Sequence, residues 1–109
     1  MSLLEKKCIP CEGGTPPLRD EEAEALLKEI PSWSIKDGNV FKQFKFKSFR
    51  ESIAFVNKVA EIAEQEKHHP DIKISYNKVS IELSTHSVKG LSENDFILAA
   101  KIGKIFIQT

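Results

Sequence analysis

A chain of 109 residues is the length of one domain and can bury a core without metal or disulfide support. Lys plus Arg equals Asp plus Glu at 16 each, beside 40% hydrophobic and 29% charged residues, which is the balance of a soluble globular protein. The zero net charge argues against a dedicated nucleic-acid binder and permits oligomers, no apolar run nears the roughly 20 residues of a membrane helix, and the opening Met-Ser-Leu-Leu-Glu-Lys-Lys lacks a signal-peptide apolar region, so a cytoplasmic protein is expected.

Residues 1–18 are rich in proline and glycine and read as an extended N-terminal arm, with 19–109 as the single domain. Within the arm, Cys8 and Cys11 form Cys-Ile-Pro-Cys. Four-ligand zinc usually wants a second pair, so the motif fits minor free thiols, a redox pair or an intermolecular metal site. Asp20 can N-cap a helix over Glu21–Ile30, with Leu26, Leu27 and Ile30 as its apolar side and Pro31 as its end. Trp33-Ser34-Ile35 then leads to Asp37-Gly38, a strong two-residue hairpin signal. The return strand, Val40–Lys47, puts Val40, Phe44 and Phe46 on one face, with Lys42 interrupting. Phe41 faces the other way and hints at a subunit contact.

Ser48 and Glu51 fit a capping box opening the longest helix. Phe49, Ile53, Val56, Ala60 and Ala63 predict its apolar stripe, and Pro70 ends it near Lys67. In a second hairpin, Ile72, Ile74 and Tyr76 alternate with polar residues, Asn77-Lys78 turns, and Val79, Ile81 and Leu83 alternate again. Ser92-Glu93-Asn94-Asp95 is another box-like start, and Phe96, Ala100, Gly103 and Ile107 predict the core-facing stripe of a C-terminal helix. The order α-β-β-α-β-β-α predicts an α+β two-layer sandwich, a four-stranded antiparallel sheet with helices on one face.

All three histidines, His68, His69 and His86, lie in two short junction segments, Glu64–Asp71 and Ser84–Ser87. Histidine is the side chain that ordinarily exchanges protons near neutral pH. His68 falls at the C-terminal end of the long helix, where the dipole favours a cation and suits it to proton donation. Pro70 makes His69 extended, so the adjacent rings point apart. All three can converge at one mouth of strand and helix ends. Three readings stand on spacing alone: surface histidines at element ends, a three-histidine metal site without the usual HxH or HxxxH spacing, and general acid–base work.

Glu64-x-x-x-His68-His69-Pro70, Tyr76-Asn77-Lys78-Val79, Leu83-Ser84-Thr85-His86, then Gly90-Leu91-Ser92-Glu93 and Asp95 resemble the signature of the pterin-4a-carbinolamine dehydratases. The likeness extends through Trp33 and Phe41-Lys42-Gln43-Phe44, and covers about residues 18–107. The His-His-Pro plus Ser-Thr-His combination is highly specific, and the cysteine arm looks like the leader of some microbial members. The resemblance implies a hydro-lyase that converts 4a-hydroxytetrahydropterin to quinonoid dihydropterin and water, recycling the cofactor of aromatic amino acid hydroxylation. Both events are proton movements, so no metal or organic cofactor is implied.

The same resemblance makes His68, His69 and His86 the catalytic set, with His68 and His86 carrying protons and His69 mainly binding the pterin. Lys67, Ser84, Thr85 and Ser87 would line the pocket with them. Glu64, one turn before His68, can orient it. Asp95 matches the family's aspartate or simply caps the last helix, and Trp33 reads as packing rather than pterin stacking. Ile72 stands where many members have an aromatic, and Lys67 replaces an often acidic residue, which bears on pocket charge and affinity. The implied assembly is a homodimer or homotetramer, with no direct nucleic-acid or membrane contact. The alternatives are a non-catalytic dimerisation or transcriptional cofactor module, as in animal members, and a related activity on a molybdopterin-type pterin.

Overall fold

The computed structural model describes residues 3–9 and 16–107. Helices α1 (Asp20–Leu27), α2 (Phe49–Glu66) and α3 (Glu93–Ile107) alternate with strands β1 (Ser34–Lys36), β2 (Asn39–Lys45), β3 (Asp71–Ser75) and β4 (Lys78–Leu83) in the predicted order. The strands form one antiparallel sheet ordered β1-β2-β4-β3. Val40, Phe44, Val79, Ile81 and Leu83 are buried on the face covered by helices, which is the expected two-layer α+β arrangement. The opposite face carries Phe41, Gln43, Lys73, Ser80 and Glu82, and the Lys36 ammonium sits 4.8 Å from the Phe41 ring centre.

The first hairpin turns as predicted. Lys36 pairs with Asn39, and Asp37 and Gly38 take φ of 52° and 80°, so both loop residues are left-handed, the twist a two-residue hairpin favours. The second turn differs by one residue. Lys78 pairs with both Ser75 and Lys45, which makes it a strand residue and leaves Tyr76-Asn77 as the loop, with Tyr76 at φ 53°. The Asn77 carbonyl accepts the Phe46 N–H at 2.8 Å and holds that register.

Three helix details also shift. The N-cap of α1 is Arg19 rather than Asp20, with its N–H donated to Glu22 Oε1 at 2.9 Å. The helix ends at Leu27, because Glu29 and Ile30 donate to Leu26 and Leu27 and tighten the chain ahead of Pro31. In α2, Ser48 caps as predicted, accepting the Glu51 N–H at 3.2 Å. Its buried row, however, is Ser52, Phe55, Val59 and Ala63, while Phe49 and Ala60 face solvent. The two rows share one period. The inward choice seats Phe55 against Phe44 and Phe46, at ring-centre distances of 4.8 and 5.1 Å. Ser52 tolerates burial because its hydroxyl donates to the Ser48 carbonyl at 3.2 Å.

Helix α3 is buried on several sides, by α2, β2, α1 and the N-terminal turn Leu3–Glu5. A continuous run, Asn94 to Ala99, plus Ile102 is therefore buried, and Ile107 of the predicted stripe is 83% exposed. Trp33 packs edge-on to Phe44 at 5.8 Å, in keeping with a packing role. Lys42 interrupts its strand face by setting its ammonium 4.7 Å from the Phe44 ring centre and donating to Ser32 Oγ at 2.8 Å. Desolvation there holds its ammonium below the usual lysine pKa.

Candidate active site

Helix α2 stops because Lys67 adopts φ 54°, a left-handed C-cap, and the His68 N–H closes the helix end on the Ala63 carbonyl at 3.2 Å. That turn separates the two histidines. The His68 side chain goes inward, 12% exposed, and the His69 side chain goes outward, 62% exposed.

His68 Nε2 lies 2.6 Å from Asp95 Oδ1. Asp95, on the first turn of α3, is completely buried. Its other oxygen, Oδ2, accepts the Ser92 N–H and the Thr85 hydroxyl, both at 2.9 Å. Oδ2 is thus saturated by two donors, and an ionised Asp95 takes its third hydrogen bond on Oδ1 from Nε2–H of His68, the arrangement that leaves Nδ1 for other work. The capping residue and the histidine holder are thus one residue. The reading that Glu64 orients His68 is corrected: Glu64 pairs with His69 Nε2, and both members of that pair are exposed.

Strand β4 delivers Thr85. Alternation carries on past Leu83, so Thr85 is buried and His86 is exposed, at the start of a short 3-10 turn, His86–Val88. The Thr85 backbone bonds Gly90 in both directions, closing the loop that hands the chain to α3.

A cavity of about 530 Å³ opens beside His68. Of the residues predicted for the site, Lys67, His68, Thr85 and Ser87 line it, whereas His69, Ser84 and His86 do not. Gln65, Glu66 and Asn94 complete the wall with Cys8 and Ile9 of the N-terminal segment, none of which the sequence singled out for this pocket. Glu66 Oε2 stands 3.6 Å from the Lys101 ammonium. Burial, then the Glu66 carboxylate, pushes the Cys8 thiol from 9.0 up to about 12, so it stays protonated, and its Sγ lies 3.6 Å from the Asn94 carbonyl. Cys11 lies outside the described residues. Among the described residues, no three His, Cys, Asp or Glu side chains are placed to share a metal ion.

The sequence profile described as pterin 4 alpha carbinolamine dehydratase matches residues 16–105. The chain belongs to this family. A protein of Nitrosomonas eutropha, provisionally named pterin-4-alpha-carbinolamine dehydratase, is 50% identical over 106 residues, which is 96% of this chain and 94% of that one. One of Rickettsia canadensis with the same provisional name is 52% identical over 102 residues, 92% of this chain and 94% of the relative. Among solved structures, a transcriptional coactivator/pterin dehydratase from Brucella melitensis superposes with a TM-score of 0.78 at 33% identity, covering 82% of this chain and 97% of its own. A pterin dehydratase-like protein described as a RuBisCO assembly factor of the alpha-carboxysome aligns at 0.56 and 26% identity, over 67% of this chain and 84% of its own. The dehydratase family is one of hydro-lyases, and the buried His68–Asp95 pair falls inside the matched segment.

Proposed function

We propose that this protein dehydrates a 4a-hydroxytetrahydropterin to the quinonoid dihydropterin by histidine acid–base catalysis. The observation that supports it most is the His68–Asp95 contact, with Asp95 buried behind His68 and His68 on the wall of the cavity of about 530 Å³. In the reaction the C4a–O bond breaks with its electron pair on oxygen. The oxygen takes a proton and leaves as water, N5 gives up its proton, and the N5–C4a double bond forms. With Nε2 committed to Asp95, His68 exchanges its proton through Nδ1. The family resemblance, not the cavity lining, assigns the other two: His86, exposed on the turn after β4, is the second proton carrier, and His69, paired with Glu64 outside the cavity wall, binds and orients the pterin from its rim. Lys67, Ser84 and Ser87 contribute polar contacts, and Thr85 acts through Asp95. No metal or organic cofactor takes part. The protein works in the cytoplasm as a homodimer or homotetramer, regenerating the pterin cofactor of a hydroxylase.

A stopped-flow dehydration assay with chemically generated 4a-hydroxytetrahydropterin tests this. Wild type is expected to exceed the spontaneous rate, and His68→Ala and His86→Ala each to slow turnover at least about tenfold. Unchanged rates in both variants overturn the assigned roles. A second reading, a non-catalytic coactivator module, is favoured by the name of the Brucella neighbour. It calls for no acceleration by wild type, with partner capture surviving replacement of all three histidines. A molybdopterin-type pterin as the preferred substrate is the outcome if the tetrahydropterin is turned over poorly.

A further inference from the structure

The N-terminal segment is pinned at several points against the helix pair that holds the site. Leu3 is 2% exposed and belongs to the core, and the Lys6 ammonium meets Glu93 at 2.7 Å. Beyond these anchors the backbone is gripped by two side chains. Glu66 Oε1, from the last turn of α2, accepts the Cys8 N–H at 2.8 Å. Asn94, from the first turn of α3 and 5% exposed, accepts the Ile9 N–H on Oδ1 at 3.0 Å and donates from Nδ2 to the Ile9 carbonyl at 2.6 Å. A buried amide that bonds both polar groups of one residue mimics a neighbouring strand and fixes that residue's orientation. The Ile9 side chain is nevertheless 69% exposed, and Cys8 and Ile9 line the His68 cavity. The grip therefore does not serve to bury Ile9 in the core. It holds an apolar side chain and a protonated thiol at the cavity wall.

We propose that Cys8 and Ile9 form a substrate-binding wall of the active site, with Ile9 making apolar contact with the bound pterin and Glu66 and Asn94 acting as positioning residues. This rests on the pterin reading above. The wall touches no reacting proton, so it contributes to binding in the ground state and the transition state alike. Loss of such uniform binding raises KM and leaves kcat in place.

The test compares Ile9→Ser and Asn94→Ala with wild type, in the dehydration assay and in fluorescence titration with 7,8-dihydrobiopterin. Ile9→Ser alters one exposed side chain, so folding is not at stake. It is expected to raise KM, and Kd for the dihydropterin, by about three- to tenfold with kcat within twofold. Asn94→Ala, checked for native melting, is expected to match or exceed that rise. Unmoved KM and Kd in both variants overturn the wall, and so does a fall in kcat at constant KM. If wild type fails to accelerate dehydration yet binds the dihydropterin, the functional reading falls while the Kd series still decides the wall. A wild type that neither reacts nor binds overturns both.

Discussion

Thr85 donates its hydroxyl hydrogen to Asp95 Oδ2 across 2.9 Å, which ties the end of β4 to the first turn of α3 through the carboxylate that holds His68. Having one hydrogen to give, the Thr85 oxygen must receive from Ser92 Oγ, 2.7 Å away. A chain of hydroxyls thus ends on a buried anion. Thr85→Val keeps the shape and removes one donor. It is expected to cost about 1–3 kcal/mol in denaturant unfolding. It should also slow turnover, because Asp95 then holds His68 less firmly.

Asp95→Asn separates shape from charge more sharply. The amide preserves volume but no longer requires hydrogen on His68 Nε2. Turnover is expected to fall by about two orders of magnitude, with a much smaller change in KM. Asp95→Ala leaves Thr85, Ser92 and His68 without their acceptor, and about 3 kcal/mol or more of stability should be lost with the activity. An Asn variant with wild-type kcat would show that the carboxylate serves only as a helix cap.

Cys8 gives a pH signature. Its folded thiol keeps its proton up to about pH 12, where an ordinary thiol releases it near 9.0. Native structure thus binds the proton more tightly than the unfolded chain. The stability this lends is complete below pH 9 and fades between pH 9 and about 12. At pH 8, iodoacetamide should label Cys8 far more slowly in the folded protein than in urea, as read by peptide mapping. Glu66→Gln should speed that labelling, since the carboxylate is the second cause of the raised value.

Gly90 lies where the loop after Thr85 meets the chain before α1. A methyl group there would stand 2.7 Å from Pro17 Cβ, part of a rigid ring. The neighbouring Leu18 N–H bonds the Leu91 carbonyl at 2.8 Å and keeps the two strands of chain together. Gly90→Ala is expected to cost about 1–3 kcal/mol by forcing them apart, measured by thermal or denaturant unfolding.

The element order and the first hairpin were legible because they rest on local chemistry. Asp37-Gly38 needs only left-handed backbone, and Ser48 needs only the Glu51 N–H. The buried row of α2 was not legible. Of the predicted row Phe49–Ile53–Val56–Ala60–Ala63 only Ala63 is fully buried, because Ser52–Phe55–Val59–Ala63 has nearly the same spacing and the choice between them depends on Phe44 and Phe46 in and just after β2. Family resemblance pointed to His68 and Asp95, but their union spans 27 residues of chain, and helical spacing favoured Glu64 instead. Cys8 and Ile9 were hidden for the same reason: their partners Glu66 and Asn94 lie 58 and 85 residues away.

Asp95 receives the Ser92 N–H on Oδ2 while its Oδ1 meets His68, so one buried group joins the opening turn of a helix to an imidazole. The Ser92 amide is therefore a built-in gauge of the pair. Its hydrogen is exposed to exchange only when the carboxylate lets go, and whatever steadies the imidazole slows that exchange without any probe being attached to the site.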